Sequence, residues 1–314
     1  MIIGLVKTIR PINLLIMVFT MLFLRYFYFK TNLDLFAIQL AASDLEYIWL
    51  VLSIVAAAGA GYVINDLFDQ ESDKINHPDR AAAMGVLNRK QLILYYTALL
   101  VLSFTFAALS MHSGALPIAI TAFFNVVLFL YSYRLKKLPF VGNIVVSGAI
   151  AFLPAYALLY DIPLTFYRIP TDQYEQISKV ILEEKFNDFI FFFMEMAFFI
   201  NLVRELTKDI LDLNGDSKMN VKTIPAIYGE VRSARFAAIL TAVATIIMIT
   251  HPIFNDHLLS RSYFIGATGT FLVLSMISLW RSNFNKASVS LKIAMFTALM
   301  YMPVFHFVFG HYDI

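Results

Sequence analysis

Apolar runs of bilayer length recur along the whole chain, separated by short polar stretches. A spanning helix needs about 20 largely apolar residues. On that measure nine spans are predicted, at about 12–30, 46–65, 91–110, 115–133, 140–160, 187–205, 233–251, 262–280 and 288–309. None of the runs alternates with the period of a half-buried strand, so the predicted fold is all-α: an integral membrane bundle of nine transmembrane helices forming a single domain over 1–314. The longest polar interruption, about 161–186, is mixed and partly amphipathic, which predicts a cap or interfacial helix and not a separate domain.

Composition strengthens the membrane reading. Hydrophobic residues make up 60% of the chain and charged residues 15%, against about 25% charged in soluble domains. With no cysteine, disulfides, thiolate metal sites and a cysteine nucleophile are excluded. A net charge of +2 and the lack of any basic run interleaved with aromatics give no footprint for nucleic acid. The N-terminal segment lacks the small-residue cleavage site of a signal peptide, so the first span is expected to be retained.

The polar exceptions then stand out. Asp66, Asp69 and Asp73 read D-x-x-D-x-x-x-D, and Asp209, Asp212 and Asp216 repeat that spacing 143 residues later. On a helix, positions i, i+3 and i+7 share one face. Three like charges on one stripe repel each other unless a cation joins them. Two such stripes facing each other would bind divalent metal and phosphate. Hard oxygen donors suit Mg²⁺, which takes one or two carboxylates, keeps waters and shares its other positions with phosphate oxygens. Neither site has the loop pattern of a calcium EF-hand, and His77, the imidazole near the first triplet, is alone, which argues against zinc.

Charge asymmetry orients the bundle. The first triplet follows the second span and the second follows the sixth, so both emerge on one side. That side also carries 18 of the 24 Lys and Arg. The positive-inside rule makes it cytoplasmic, in a multi-pass protein of the cell (inner) membrane. Arg80, Lys136 and Lys208 are the cations placed to touch a diphosphate there, with Tyr131 as a further candidate. Asn65 would orient the first triplet, and Asn13, near the cytoplasmic surface, could face an acceptor. Deeper in the spans, Asn125 and Asn143 read as interhelical hydrogen-bond partners. Glu195 lies some 20 Å of helix from Asp209, too far for a metal ligand, and reads as a packing group.

With these motifs in view the chain resembles the UbiA superfamily of intramembrane prenyltransferases. The pattern N-D-x-x-D-x-x-x-D is met by Asn65, Asp66, Asp69 and Asp73, and D-x-x-D-x-x-G-D by Asp209, Asp212, Gly215 and Asp216. The element Y-S-x-x-L-K is met by Tyr131, Ser132, Leu135 and Lys136. Arg10-Pro11-Ile12-Asn13, Thr223-x-Pro225 and Gly229 are worded like the geranylgeranylglyceryl phosphate geranylgeranyltransferase branch. One stretch departs: that branch usually reads R-P-x-P-x-G where this chain has Arg80-Ala81-Ala82-Ala83-Met84-Gly85.

The resemblance implies a central cavity open to the cytoplasm and a Mg²⁺ cofactor held by all six aspartates, Asp66, Asp69, Asp209 and Asp212 being catalytic. It implies a polyprenyl diphosphate donor bound with its tail among the helices, and a lipophilic acceptor. Geranylgeranylglycerol phosphate leads among acceptors. An aromatic quinone precursor such as 4-hydroxybenzoate or a naphthoate is the alternative. A transporter of divalent cations or organic phosphates is the rival from another class, although transporters place their sites near the midplane and both triplets here lie at span ends.

Overall fold

The computed structural model describes residues 2–34, 39–40, 42–76, 78, 87–110, 115–161, 175, 184–219, 221–255 and 257–309. Among the described residues the regular structure is helical throughout. In chain order the helices are α1 (Ile2–Thr8), α2 (Pro11–Asp34), α3 (Asp44–Asn76), α4 (Arg89–Leu109), α5 (Leu116–Tyr133), α6 (Val141–Leu159), α7 (Glu184–Leu211), α8 (Leu213–Lys218), α9 (Ile224–Tyr228), α10 (Glu230–Thr250), α11 (Leu258–Trp280) and α12 (Phe284–Phe309). Eight of them, α2 to α6 and α10 to α12, are long and apolar enough to cross a membrane. The sixth expected span, 187–205, falls in α7, which is 28 residues long but carries Asp188, Glu195 and a charged C-terminal end. The expectation for 161–186 lies almost wholly outside the described residues.

The chain divides into two compact units: Met1–Val18, Ala42–Ala149 and Leu211–Gly229 in the first, and Phe19–Ala41, Ile150–Ile210 and Glu230–Ile314 in the second. The first is built around α3. At 33 residues this helix is about 50 Å long, so it outruns the roughly 30 Å hydrocarbon layer and carries the first acidic triplet on its extension. Its middle reads Ala-Ala-Ala-Gly-Ala-Gly over 56–61, and small residues let neighbouring helices close in. At Gly61 the approach is tight enough that a Cβ would lie 2.8 Å from Leu128 Cδ1 on α5. Asn125 on α5 donates to Ser103 Oγ on α4 at 3.1 Å, the interhelical bond expected of it.

The second unit packs with rings instead. Phe189, Phe192, Phe254, Phe264 and Tyr301 are almost wholly buried. Phe192 meets Phe254 and Phe264 edge-on at centroid distances of 5.0 and 4.9 Å, and Phe264 lies 4.8 Å from Tyr301. Edge-to-face contacts of this kind add about 0.5–1.5 kcal/mol each beyond area burial. Arg25, in a π-helical turn of α2, is fully buried 3.5 Å from the equally buried Asp161. Both charges have left water, so the pair is needed to keep either one there.

A candidate metal and diphosphate site

The first triplet lies on the last three turns of α3. Asp66 is fully buried, Asp73 nearly so and Asp69 partly open. Helical spacing brings them to one side, as expected. Each of the first two is then met by a cation from elsewhere in the first unit. Arg10 Nη2 lies 3.0 Å from Asp66 Oδ1, and its guanidinium stacks over the Tyr62 ring at 4.6 Å. Lys136 Nζ is hydrogen-bonded to Asp69 Oδ1 and, at 3.1 Å, to Asn65 Oδ1. Asn65 turns its Nδ2 to Asp69 Oδ2 at 2.9 Å, so Asn65, Asp69 and Lys136 form one closed polar group.

Local backbone explains how the two cations arrive. Arg10 sits between α1 and α2 with φ +53. A left-handed conformation costs a non-glycine residue about 1–3 kcal/mol, and the Pro11 that follows disfavours the ordinary helical alternative. The turn swings the guanidinium back to α3. Lys136 sits in a 3₁₀ turn, Leu135–Lys137, after α5. Gly142 packs on it so closely that a Cβ there would fall 2.6 Å from Lys136 Cα.

The second triplet does not form one continuous stripe, which corrects the expectation drawn from its spacing. Asp209 lies on the last turn of α7, α7 ends at Leu211, Asp212 occupies the N-cap of α8 with φ −91 and ψ 1, and Asp216 lies within α8. Asp212 and Asp216 belong to the first unit, where Asn76, the last residue of α3, reaches the backbone between them. Its Nδ2 donates to Asp212 O at 2.8 Å, and its Oδ1 accepts from Gly215 N at 2.8 Å. The carboxyl end of the first motif is thus bonded directly to the turn that bears the second.

The remaining expected residues fall as follows. Asn13 Nδ2 donates to Tyr62 Oη at 3.2 Å, beside the Arg10 contact. Tyr131 is half-buried on the last turns of α5. Lys208, within the second unit, lies 3.7 Å from Glu205 Oε2. Arg80 and His77 are outside the described residues. Glu195, about 20 Å along α7 from Asp209, is about half exposed and stands 3.7 Å from His251 Nε2. Burial lowers the His251 pKa, with Glu195 and then Asp188 pulling the other way. Reasoning from sequence missed Arg10 and Asn76 as participants. A signal for Asn76 existed: 66, 69, 73 and 76 continue one helical face. For Arg10 the only signal was an Arg-Pro pair opening a span.

The donors here are hard oxygens. Among the described residues, no three carboxylate or imidazole groups converge closely enough to hold a metal unaided. Hard oxygen donors suit Mg²⁺, which takes one or two carboxylates and completes its shell with water and phosphate oxygens.

Comparison with known proteins defines the class. The description of the UbiA prenyltransferase family matches residues 34–300, and the chain belongs to that family. It is 30% identical over 257 residues to the digeranylgeranylglyceryl phosphate synthase of Thermococcus kodakarensis, covering 81% of this chain and 83% of that one. It is 32% identical over 206 residues to the synthase of the same name from Thermococcus gammatolerans, a match spanning 66% of this chain and 64% of the relative's length. A UbiA homologue from Aeropyrum pernix K1 shares the fold with a TM-score of 0.65 at 12% identity, over 94% of this chain and 98% of its own. A homologue from Archaeoglobus fulgidus, bound to DMAPP and Mg²⁺, does so with a TM-score of 0.56 at 15% identity, over 96% and 99%.

Proposed function

We propose that this protein is a Mg²⁺-dependent membrane prenyltransferase that moves a prenyl group from a polyprenyl diphosphate to geranylgeranylglycerol phosphate. The observation that carries the reading is the Asn76 link, which joins the α3 triplet to the Asp212–Asp216 turn. Family membership supports prenyl transfer, and the two Thermococcus synthases support this acceptor.

Asp66, Asp69, Asp73, Asp209, Asp212 and Asp216 would hold the metal, directly or through water. When bound, Mg²⁺ neutralises charge developing on the departing diphosphate. Lys136, seated on Asp69 and Asn65, is the cation placed to meet a diphosphate oxygen. Arg80 and Lys208 complete the cationic set, Asn65 keeps Asp69 oriented, and Tyr131 and Asn13 contact substrate. The allylic C–O bond breaks with its electron pair going to diphosphate. The acceptor hydroxyl oxygen then attacks the carbon, and its proton leaves to the released diphosphate. Apolar helices exclude water, which would otherwise capture the carbocation. In this reading the protein works in the cell membrane with both acidic motifs at the cytoplasmic surface, which the distribution of Lys and Arg supports.

Transfer of radiolabelled geranylgeranyl diphosphate by liposome-reconstituted protein tests this. Geranylgeranylglycerol phosphate should be labelled with Mg²⁺ present and not after chelation with EDTA. Labelling of 4-hydroxybenzoate or a naphthoate instead would reassign the acceptor. Divalent-cation flux with no prenyl transfer to any acceptor would overturn the enzyme reading.

A further inference from the structure

The Asn76 carboxamide does something unusual for the turn it touches. An aspartate at an N-cap ordinarily spends its carboxylate on the N–H of the second or third helical residue. Asp212 occupies the N-cap of α8, yet its side chain makes no capping bond there. The third N–H of α8, that of Gly215, is shared between Asn76 Oδ1 at 2.8 Å and the Asp212 backbone carbonyl at 3.1 Å, and makes no bond to the Asp212 carboxylate. Asn76 also donates to the Asp212 carbonyl, so both hydrogen-bonding faces of one amide close on one turn.

Gly215 is shaped to that amide. A Cβ on residue 215 would come within 2.6 Å of Asn76 Cγ and Oδ1. The carboxamide could clear it only by giving up both bonds. Gly215 has no positive φ to explain it, so a close approach and not backbone freedom accounts for glycine here.

We propose that Asn76 is a positioning residue that caps α8 in place of Asp212, so that the Asp212 carboxylate serves the metal and not the helix end. This rests on the metal-dependent reading above and extends it to a residue that touches neither metal nor substrate. Partners of metal ligands of this kind typically change metal affinity by about 10- to 100-fold when removed.

The test compares wild type, Asn76→Ala, Gly215→Ala and the double variant, each as full-length protein in liposomes. Asn76→Ala should raise the Mg²⁺ needed for half-maximal turnover about 10-fold or more, with a smaller change in turnover at saturating Mg²⁺. Gly215→Ala should give the same shift, and the double variant should be no worse than either single one, because both changes break one contact. Mn²⁺ binding followed by electron paramagnetic resonance, with a non-reacting prenyl thiodiphosphate present, reads the same loss without turnover. Unchanged Mg²⁺ and Mn²⁺ affinities in Asn76→Ala, or additive losses in the double variant, would overturn the proposal. Should Gly215→Ala fail to fold, Asn76→Ala in the Mn²⁺ measurement decides alone. If wild type transfers no prenyl group, the catalytic reading falls, while the Mn²⁺ comparison still decides the role of Asn76.

Discussion

The two acidic motifs share one spacing and fold differently. The first rides a single helix to its end, and its carboxylates are met by side-chain cations from other parts of the first unit. The second is broken at Asp212, and what it receives from α3 is a carboxamide gripping its backbone. In the first, cations sit on two of the carboxylates themselves. In the second, α3 holds the turn through its main chain. Identical spacing therefore carries two different kinds of support. Each is completed by a glycine pressed against its partner, Gly142 on the Lys136 turn and Gly215 on Asn76.

The largest expected effects come from removing one carboxylate of each motif. Asp66→Ala and Asp212→Ala should each lower prenyl transfer by about 10³-fold or more, roughly 4 kcal/mol of transition-state stabilisation. Their effects on stability should differ. Asp66 is fully buried against Arg10, which is 22% exposed. Its loss takes one counter-charge from a guanidinium in a partly dry place, a change that costs about 3–5 kcal/mol where a fully buried pair is broken and less here. Asp212→Ala keeps the backbone carbonyl that Asn76 uses. Thermal unfolding should fall clearly for the first variant and little for the second. Equal destabilisation would erase the contrast between the two motifs.

Lys136 sharpens the comparison at the next level. It is 13% exposed and bonded to Asp69 and Asn65. Lys136→Ala should reduce kcat/KM for the prenyl diphosphate by about 10²-fold, the order expected when one preorganised charge is lost. Gly142→Ala should reproduce part of that loss with Lys136 still present. Its Cβ meets backbone atoms, Lys136 Cα at 2.6 Å and Leu135 O at 3.1 Å, which cannot step aside as a side chain would. A Gly142→Ala enzyme with wild-type kinetics would remove the packing argument for how Lys136 is placed.

These contrasts also mark where sequence was informative. Spans were legible because lipid admits only backbone whose hydrogen bonds are met internally, which makes a bilayer-length apolar run a helix, and the eight spanning helices among the described residues coincide with eight predicted runs. The aspartates were legible because uncompensated charge is rare near a bilayer. The break at Asp212 was not, since Leu211-Asp212-Leu213-Asn214-Gly215 carries only one weak stop signal and the partner that enforces the break is 136 residues away. Nor was the role of Arg10, whose neighbours Tyr62 and Asp66 are brought to it by a left-handed turn. The pairing of Lys136 with Asp69 instead of solvent was equally hidden, because 67 residues separate them. The aromatic core of the second unit was foreshadowed by 30 Phe, but composition does not tell a packed ring from one facing lipid.

The smallest effect should belong to Lys208. Spacing makes it the counterpart of a diphosphate-binding cation, yet its side chain is 37% exposed and stands 3.7 Å from Oε2 of the buried Glu205, an i, i+3 neighbour on α7. Arg204 also lies 3.9 Å from Oε1 of that carboxylate, so this one long, half-open contact contributes about 0–1 kcal/mol. Moving this ammonium to a phosphate oxygen exchanges one carboxylate partner for another anion, so the net gain is modest. Lys208→Ala should therefore raise KM for the prenyl diphosphate by less than about 10-fold, under 1.4 kcal/mol, and leave thermal unfolding unchanged. Lys136→Ala, by contrast, strips a cation already seated on Asp69, a proposed metal ligand. Kinetics of both variants on one preparation give the comparison directly. If Lys208→Ala matches Lys136→Ala, the second motif binds diphosphate through its own cation as the first does, and the division between charge balance in one and backbone support in the other fails.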